Sequence, residues 1–288
     1  MLHNAIERIL EAQAVWADPL GKLFVAIFAA LYKPVPIIKD LLNGVWLGHP
    51  LHPAITDVPI GAMTVSIIAD LIGQPLVADV TMTLGVLAMV ASAVTGAADY
   101  IDIHGTAGNR ATVHSLLMVT ALVVYVISLV IRAGDPVNRA LPIGLAIVGY
   151  LILTLGANIG GDLVYLVGTN VNRHAWRGAG SKWVTIDLGG LPDIPQGGPT
   201  KVKAGINELA VIREGDRILA LHAQCAHAGG PLAEGTIVGG DRLECPWHGS
   251  RYLLTNGHVV RGPAMYDQPA YELRRAEDGS WEARRQPA

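Results

Sequence analysis

Four stretches of the chain, 54–73, 78–98, 111–131 and 141–166, are apolar almost without interruption. Each has about the 20 residues needed to cross the ~30 Å hydrocarbon core of a bilayer. The connections between them, GQPLV, DIHGTAGNR and RAGDPVN, are short, so neighbouring helices are expected to run antiparallel as an up-and-down bundle. Small residues recur along them, as in GVLAMVASAVTGAA, and permit close backbone approach in lipid. Ahead of the first stretch, the apolar run Leu23 to Tyr32 holds only ten residues, and Pro34 and Pro36 interrupt the chain just beyond it. That pattern predicts amphipathic helices over 1–44, lying in the interface or packed as a cap on the bundle. After Gly168 the pattern changes to short alternating segments, KWVTIDL, ELAVIRE and RILALHA, with REGDR as a hairpin turn between the last two. The expected division is therefore 1–44 interfacial helices, 45–168 a four-helix transmembrane domain, 169–181 a linker, and 182–288 an all-β domain.

Composition agrees with lipid as a solvent: 51% of residues are hydrophobic and 16% charged. The formal net charge is -3, and no compact Lys/Arg run is present, so nucleic acid is excluded as a partner. Two cysteines are too few for a disulfide framework. The first 40 residues lack the form of a secretory signal, since Glu7, Arg8 and Glu11 come early.

The β half contains QCAHAGGPL (224–232) and ECPWHGSRY (244–252), that is C-x-H, seventeen residues, then C-x-x-H. Each segment brings one thiolate and one imidazole onto a tight loop, and together they offer two sulfurs and two nitrogens to a metal. A tetrahedral zinc site accepts the same ligand types. The interleaved loops, with Gly229, Gly230 and Pro231 after the first pair and Pro246 and Gly249 in the second, resemble those of Rieske 2Fe-2S proteins over roughly 182–285. The resemblance implies a 2Fe-2S cluster with Cys225 and Cys245 on one iron and His227 and His248 on the other. Imidazoles in place of two thiolates raise the potential above that of an all-cysteine cluster, and the exposed imidazole edges are the expected electron exit.

Trp247 stands where the Rieske subunits of quinol:cytochrome oxidoreductases usually carry an extra, disulfide-forming cysteine, which looks like the ferredoxin and oxygenase branch. Ser250 and Tyr252, however, resemble the pair that donates hydrogen bonds to cluster and cysteine sulfur in the high-potential branch. GPAMYDQP resembles the proline loop that shields the cluster from a third side. About 40 residues come after the motif, with His258 their one histidine. They do not hold the two histidines and carboxylate of an oxygenase's mononuclear iron.

The histidines of the apolar half sit at one end of the expected bundle. His49 and His52 precede the first helix, His104 follows the second, His114 opens the third and His174 follows the fourth. Lys33, Lys39, Arg110, Arg173, Arg177 and Lys182 lie on that side, against Arg132 and Arg139 on the other. The positive-inside rule then places both termini and the β domain in the cytoplasm. LGHPLHPAITDVPIGA and GGDLVY resemble a bacterial four-helix membrane family of unknown function, over roughly 45–170, that is sometimes fused to Rieske domains. Imidazoles on two facing helices can hold haem b axially. His52 and His114 are the preferred pair, His49 and His104 the other candidates, for a haem or quinone site. The bland reading is that these histidines cap helices and bond Asp57, Asp99 or Asp102.

The expected fold is thus an α+β membrane protein, a four-helix transmembrane bundle followed by an all-β Rieske domain, in the bacterial inner membrane. The expected function is electron transfer between quinone or haem b in the bundle and a cytoplasmic redox partner. A membrane-anchored Rieske ferredoxin serving a separate oxygenase or reductase, and a non-redox iron or oxygen sensor, are the alternatives.

Overall fold

The computed structural model describes residues 8–135, 137–176, 182–188 and 196–287; His3, Arg177 and the later part of the expected linker lie outside the described residues. Two units form. One comprises the described residues up to Asn43 with Pro50–Thr169, the other Gly44–His49 with the described residues from Asn170 onward.

The first unit is helical: α1 Ala14–Tyr32, α2 Pro36–Asn43, α3 Leu51–Leu71, α4 Pro75–Tyr100, α5 Gly105–Gly134 and α6 Ala140–Tyr165. Pro75 opens α4 where a missing N–H costs no helical bond. Large apolar side chains such as Leu84 (56% exposed) and Leu151 (65%) point outward, an outer surface that suits hydrocarbon and not water. These are membrane helices. Five of them, α1 and α3 to α6, are long and apolar enough to cross a membrane, against the four expected. The difference is α1. Asp18 and Lys22 interrupt its apolar run but pair one turn apart at 2.6 Å, so the helix continues through them. Its Phe24, Val25 and Phe28 pack on Tyr100, Ile103 and Ala107, where α4 gives way to α5.

The two hairpins α3–α4 and α5–α6 are built alike. Ser66 Oγ donates to Ala78 O at 2.8 Å, and Ser128 Oγ donates to Pro142 O at 2.8 Å. Gly85 receives Met63, and Gly149 receives Tyr125. His52 and His114 both bond a carbonyl of the following helix. Residues of α3 thus recur 62 positions later in α5, and residues of α4 recur 64 positions later in α6. Met63, Met82, Met89, Ala121, Tyr125, Ala146 and Leu153 form the shared core.

At the other end of these hairpins, Arg132 and Arg139 both meet Asp70 and Asp79. Arg132 lies 2.6 Å from Asp70 and 2.9 Å from Asp79, and Arg139 lies 2.9 Å and 2.6 Å from the same two. Each arginine thereby carries two carboxylates and each carboxylate two arginines. Asp70 is fully enclosed, and a charge buried this way is tolerable only with its partners present. Replacing Asp70 by Asn is expected to destabilise the helical unit by about 3–5 kcal/mol, read as a lowered unfolding temperature in detergent. An unchanged temperature would show that water already solvates the arginines.

The second unit is all-β. Strands β1 Val184–Ile186, β2 Pro199–Ala204, β3 Asn207–Glu214, β4 Arg217–His222, β9 Ala270–Arg275 and β10 Trp281–Arg285 close a barrel in the order β1-β10-β9-β4-β3-β2. β5 Thr236–Val238, β6 Arg242–Glu244, β7 Arg251–Leu253 and β8 Val259–Arg261 form a meander inserted between β4 and β9. The expected REGDR hairpin is present, with Glu214 opposite Arg217. One core, around Leu221, Leu232, Leu243 and Tyr252, joins barrel and meander and also encloses both cysteines.

Candidate metal centre

The two motif segments form two loops of like construction. In the first, between β4 and β5, Cys225 N–H donates to Gly230 O (2.8 Å) and Gly229 N–H to Cys225 O (3.0 Å). In the second, between β6 and β7, Cys245 N–H donates to Ser250 O (2.8 Å) and Gly249 N–H to Cys245 O (3.1 Å). Each cysteine thus closes its own loop through the backbone and leaves its sulfur free to project. Gly229 and Gly249 both take positive φ, 85° and 75°, which glycine adopts without strain.

Both sulfurs are buried and adjacent, and no disulfide links them. Hydrogen bonding with Cys245, then burial, push the Cys225 thiol up. The bond from Cys225 brings the Cys245 thiol down to about 7, and the amides of Trp247 and His248 also favour its thiolate. Amide N–H groups aimed at sulfur support the anionic form that binds metal. The Tyr252 hydroxyl lies 3.1 Å from Cys225 Sγ. Burial pushes this phenol well up, and the Cys225 charge adds to the shift. It therefore stays protonated and acts as the donor once the sulfur is a thiolate. Ser250 Oγ accepts from Ala264 N–H at 3.0 Å, tying the second loop to the GPAM segment, and it bonds Tyr252.

Three supports of the first loop were not foreseen from the sequence. Gln268, 1% exposed, accepts from Ala226 N–H at 2.8 Å and donates to His222 O and Gln224 O at 2.6 and 2.7 Å. His222 Nδ1 accepts from Gln224 N–H at 3.1 Å, and the His174 ring packs on His222 with centroids 4.5 Å apart. Gly257 makes room for Gln268: a Cβ there would fall 1.7 Å from its carbonyl oxygen. Only a contact map separates these residues from ordinary strand and loop positions.

The imidazoles of His227 and His248 stand together, centroids 5.0 Å apart and planes 87° apart. His248 is half-buried and Trp247 beside it is 57% exposed, but His227 is buried. The expectation of two exposed imidazole edges is thus corrected to one. The segment from Asn170 to His174 lies over the first loop: Arg173 N–H donates to Ala226 O, and Asn170 O accepts from Tyr266.

Two thiols in contact and two imidazoles in contact make two ligand pairs. Among the described residues no three His, Cys, Asp or Glu side chains converge as one ion requires, so the donor set fits a two-iron cluster better than tetrahedral zinc. Gly230 keeps the space between the loops open, since a Cβ would sit 2.8 Å from Cys245 Sγ.

Two parts of the chain are similar to known proteins. Residues 185–272 match the Rieske 2Fe-2S domain family, and residues 48–173 match a family described as predicted membrane protein, DUF2231. The ferredoxin subunit of anthranilate 1,2-dioxygenase from Burkholderia cepacia is 36% identical over 87 residues, covering 30% of this chain and 80% of that protein. The chain belongs to the Rieske 2Fe-2S family. Methylxanthine N1-demethylase NdmA of Pseudomonas putida is 40% identical over 72 residues, 25% of this chain. The chain spans only 20% of that relative's length. Among solved structures, the ferredoxin of carbazole 1,9a-dioxygenase from Nocardioides aromaticivorans IC177 is 26% identical with a TM-score of 0.32, covering 38% of this chain and 100% of that one. This Rieske unit is fused to a membrane domain and has ferredoxin-like homologues.

Of the other candidate residues, His52 and His114 come together in the helical unit, ring centroids 6.3 Å apart. His104 precedes α5 without a side-chain capping bond, and His49 belongs to the Rieske unit.

Tyr252→Phe is expected to keep the cluster and lower its potential by about 40 mV, the one-electron equivalent of ~1 kcal/mol for a lost donor. Redox titration of the cluster's EPR signal reads this directly. His248→Cys is expected to shift the spectrum toward an all-cysteine ferredoxin and lower the potential further; an unchanged potential would refute the ligand assignment.

Proposed function

We propose that this protein passes single electrons between a soluble redox partner that docks over Trp247 and His248 and a redox group on the membrane side, quinone or haem b. The observation that carries the reading is the asymmetry of the metal-binding loops. Both thiols and His227 are buried, whereas His248 reaches partial exposure beside a projecting indole. When bound, the cluster supplies a one-electron centre whose potential two imidazoles raise. Cys225 and Cys245 hold it, Tyr252 donates to Cys225 sulfur, and Gln268 fixes the loop that carries Cys225 and His227. Trp247 provides an exposed aromatic anchor of the kind that dominates small protein interfaces.

We place the Rieske unit in the cytoplasm of a bacterial cell, with the helices in the inner membrane. The support is the excess of Lys and Arg at the histidine end of the helices over Arg132 and Arg139 at the other. The ferredoxin subunit of a dioxygenase, 36% identical, supports a second reading, a membrane-anchored ferredoxin serving a separate oxygenase or reductase.

The full chain in liposomes separates these readings, with cluster reduction followed by absorbance. Reduction by a membrane quinol is expected under the first. Reduction only by NADH with a soluble ferredoxin reductase would favour the anchored ferredoxin. Reduction by neither, with a stable cluster, would leave the sensor. Trp247→Ala is expected to slow exchange with the soluble reductase about tenfold, the equivalent of ~1.4 kcal/mol at an interface anchor, while the potential is unchanged.

A further inference from the structure

His52 and His114 occupy equivalent places in the two repeated hairpins, and each is held in the same way. Nδ1 of His52 lies 2.8 Å from Ser92 O, and Nδ1 of His114 lies 2.8 Å from Gly156 O. A carbonyl only accepts, so each Nδ1 carries the ring proton and each Nε2 presents a lone pair. All hydrogen bonds these two rings make within the described residues are at Nδ1, and none is to the aspartates considered from the sequence. Proteins fix metal-ligating imidazoles this way, a backbone carbonyl on one nitrogen orienting the other.

The helix backbones are shaped to the rings. A Cβ on Gly96 would come within 3.0 Å of His52 Cε1, and one on Gly160 within 3.0 Å of His114 Cε1. Each glycine lies one helical turn after the residue whose carbonyl is bonded, so each ring lies flush against the helix that holds it. α3 and α5 are diagonal in the bundle, each flanked by α4 and α6. The two rings therefore meet across its interior, centroids 6.3 Å apart and planes at 80°. Two imidazoles sharing one metal at about 2 Å per bond stand roughly 6 Å apart, centre to centre.

We propose that His52 and His114 are the axial ligands of one haem bound inside the helical unit. Ligand number separates haem from a bare ion. No third His, Cys, Asp or Glu joins the pair among the described residues, whereas zinc takes three or four protein ligands. A haem brings four equatorial nitrogens and needs only two axial ones. Its macrocycle also neutralises iron charge that a bilayer interior tolerates poorly. The inference deepens the reading above by naming the membrane-side redox group, but the site rests on the bundle alone.

The test uses the detergent-purified full chain, as isolated and after titration with hemin. One haem per chain is expected, with a low-spin Soret and α-band in the reduced-minus-oxidised spectrum. The ferric EPR signal should have the strong anisotropy of near-perpendicular imidazoles. His52→Ala and His114→Ala are each expected to abolish the low-spin bands and weaken hemin binding at least tenfold, while helicity by circular dichroism and the cluster's EPR signal persist as proof that both units fold. His104→Ala is expected to change neither. Gly96→Leu and Gly160→Leu, which fill the ring seats, should reproduce the loss with both histidines present. Cys245→Ser should lose the cluster and keep the haem bands, so the failure of one centre is distinguishable from failure of the other. Low-spin haem that survives both His→Ala changes, or no hemin binding by a chain whose cluster is intact, would overturn the proposal. So would tight Zn2+ binding that excludes hemin.

Discussion

A polar group removed from water must find its partner inside the protein, and this one constraint organises both units. In the Rieske unit it acts on the loop after β4, which carries Cys225 and His227. The buried amide of Gln268 takes up one N–H and two carbonyls of that loop. In the helical unit it acts on charge, where Asp70, Asp79, Arg132 and Arg139 close a network of alternating sign. A half-satisfied network in either place would cost more than an apolar one, so these side chains are fixed as sets and not singly.

The same constraint sets how much the sequence disclosed. The four candidate ligands were legible because iron needs those atom types on short loops, and the loops carry their own glycines and prolines. The helices were legible by length and hydropathy. α1 was not, because Asp18 and Lys22 read as polar breaks when taken singly but cancel as a pair one turn apart. Ser250 stands beside the centre, and its oxygen ties the second loop to Ala264 N–H. The roles of Gln268, His174 and His222 were not legible, because they depend on long-range packing that no local spacing encodes.

Duplication was hidden for a different reason. Equivalent residues in the two hairpins differ chemically: Met63 answers to Tyr125, Ser92 to Gly156, and Asp70 to Arg132. What repeats is geometry. A serine at one end of each hairpin bonds the partner helix's carbonyl, a glycine admits a bulky side chain midway, and a histidine bonds a carbonyl at the other end. Hydropathy alone sees two similar pairs of apolar runs.

Two like hairpins packed side by side bring equivalent positions together near their common axis, and the consequence differs by chemistry. Where the equivalent residues are Asp70 and Arg132, opposite charges meet and the contact is complete without a ligand. Where they are His52 and His114, like meets like. Two imidazoles with their ring protons committed to carbonyls have no donor left for each other. Repetition therefore closes the bundle by ion pairing at one end. At the other it leaves a pair of bases that an electrophilic centre between them would satisfy.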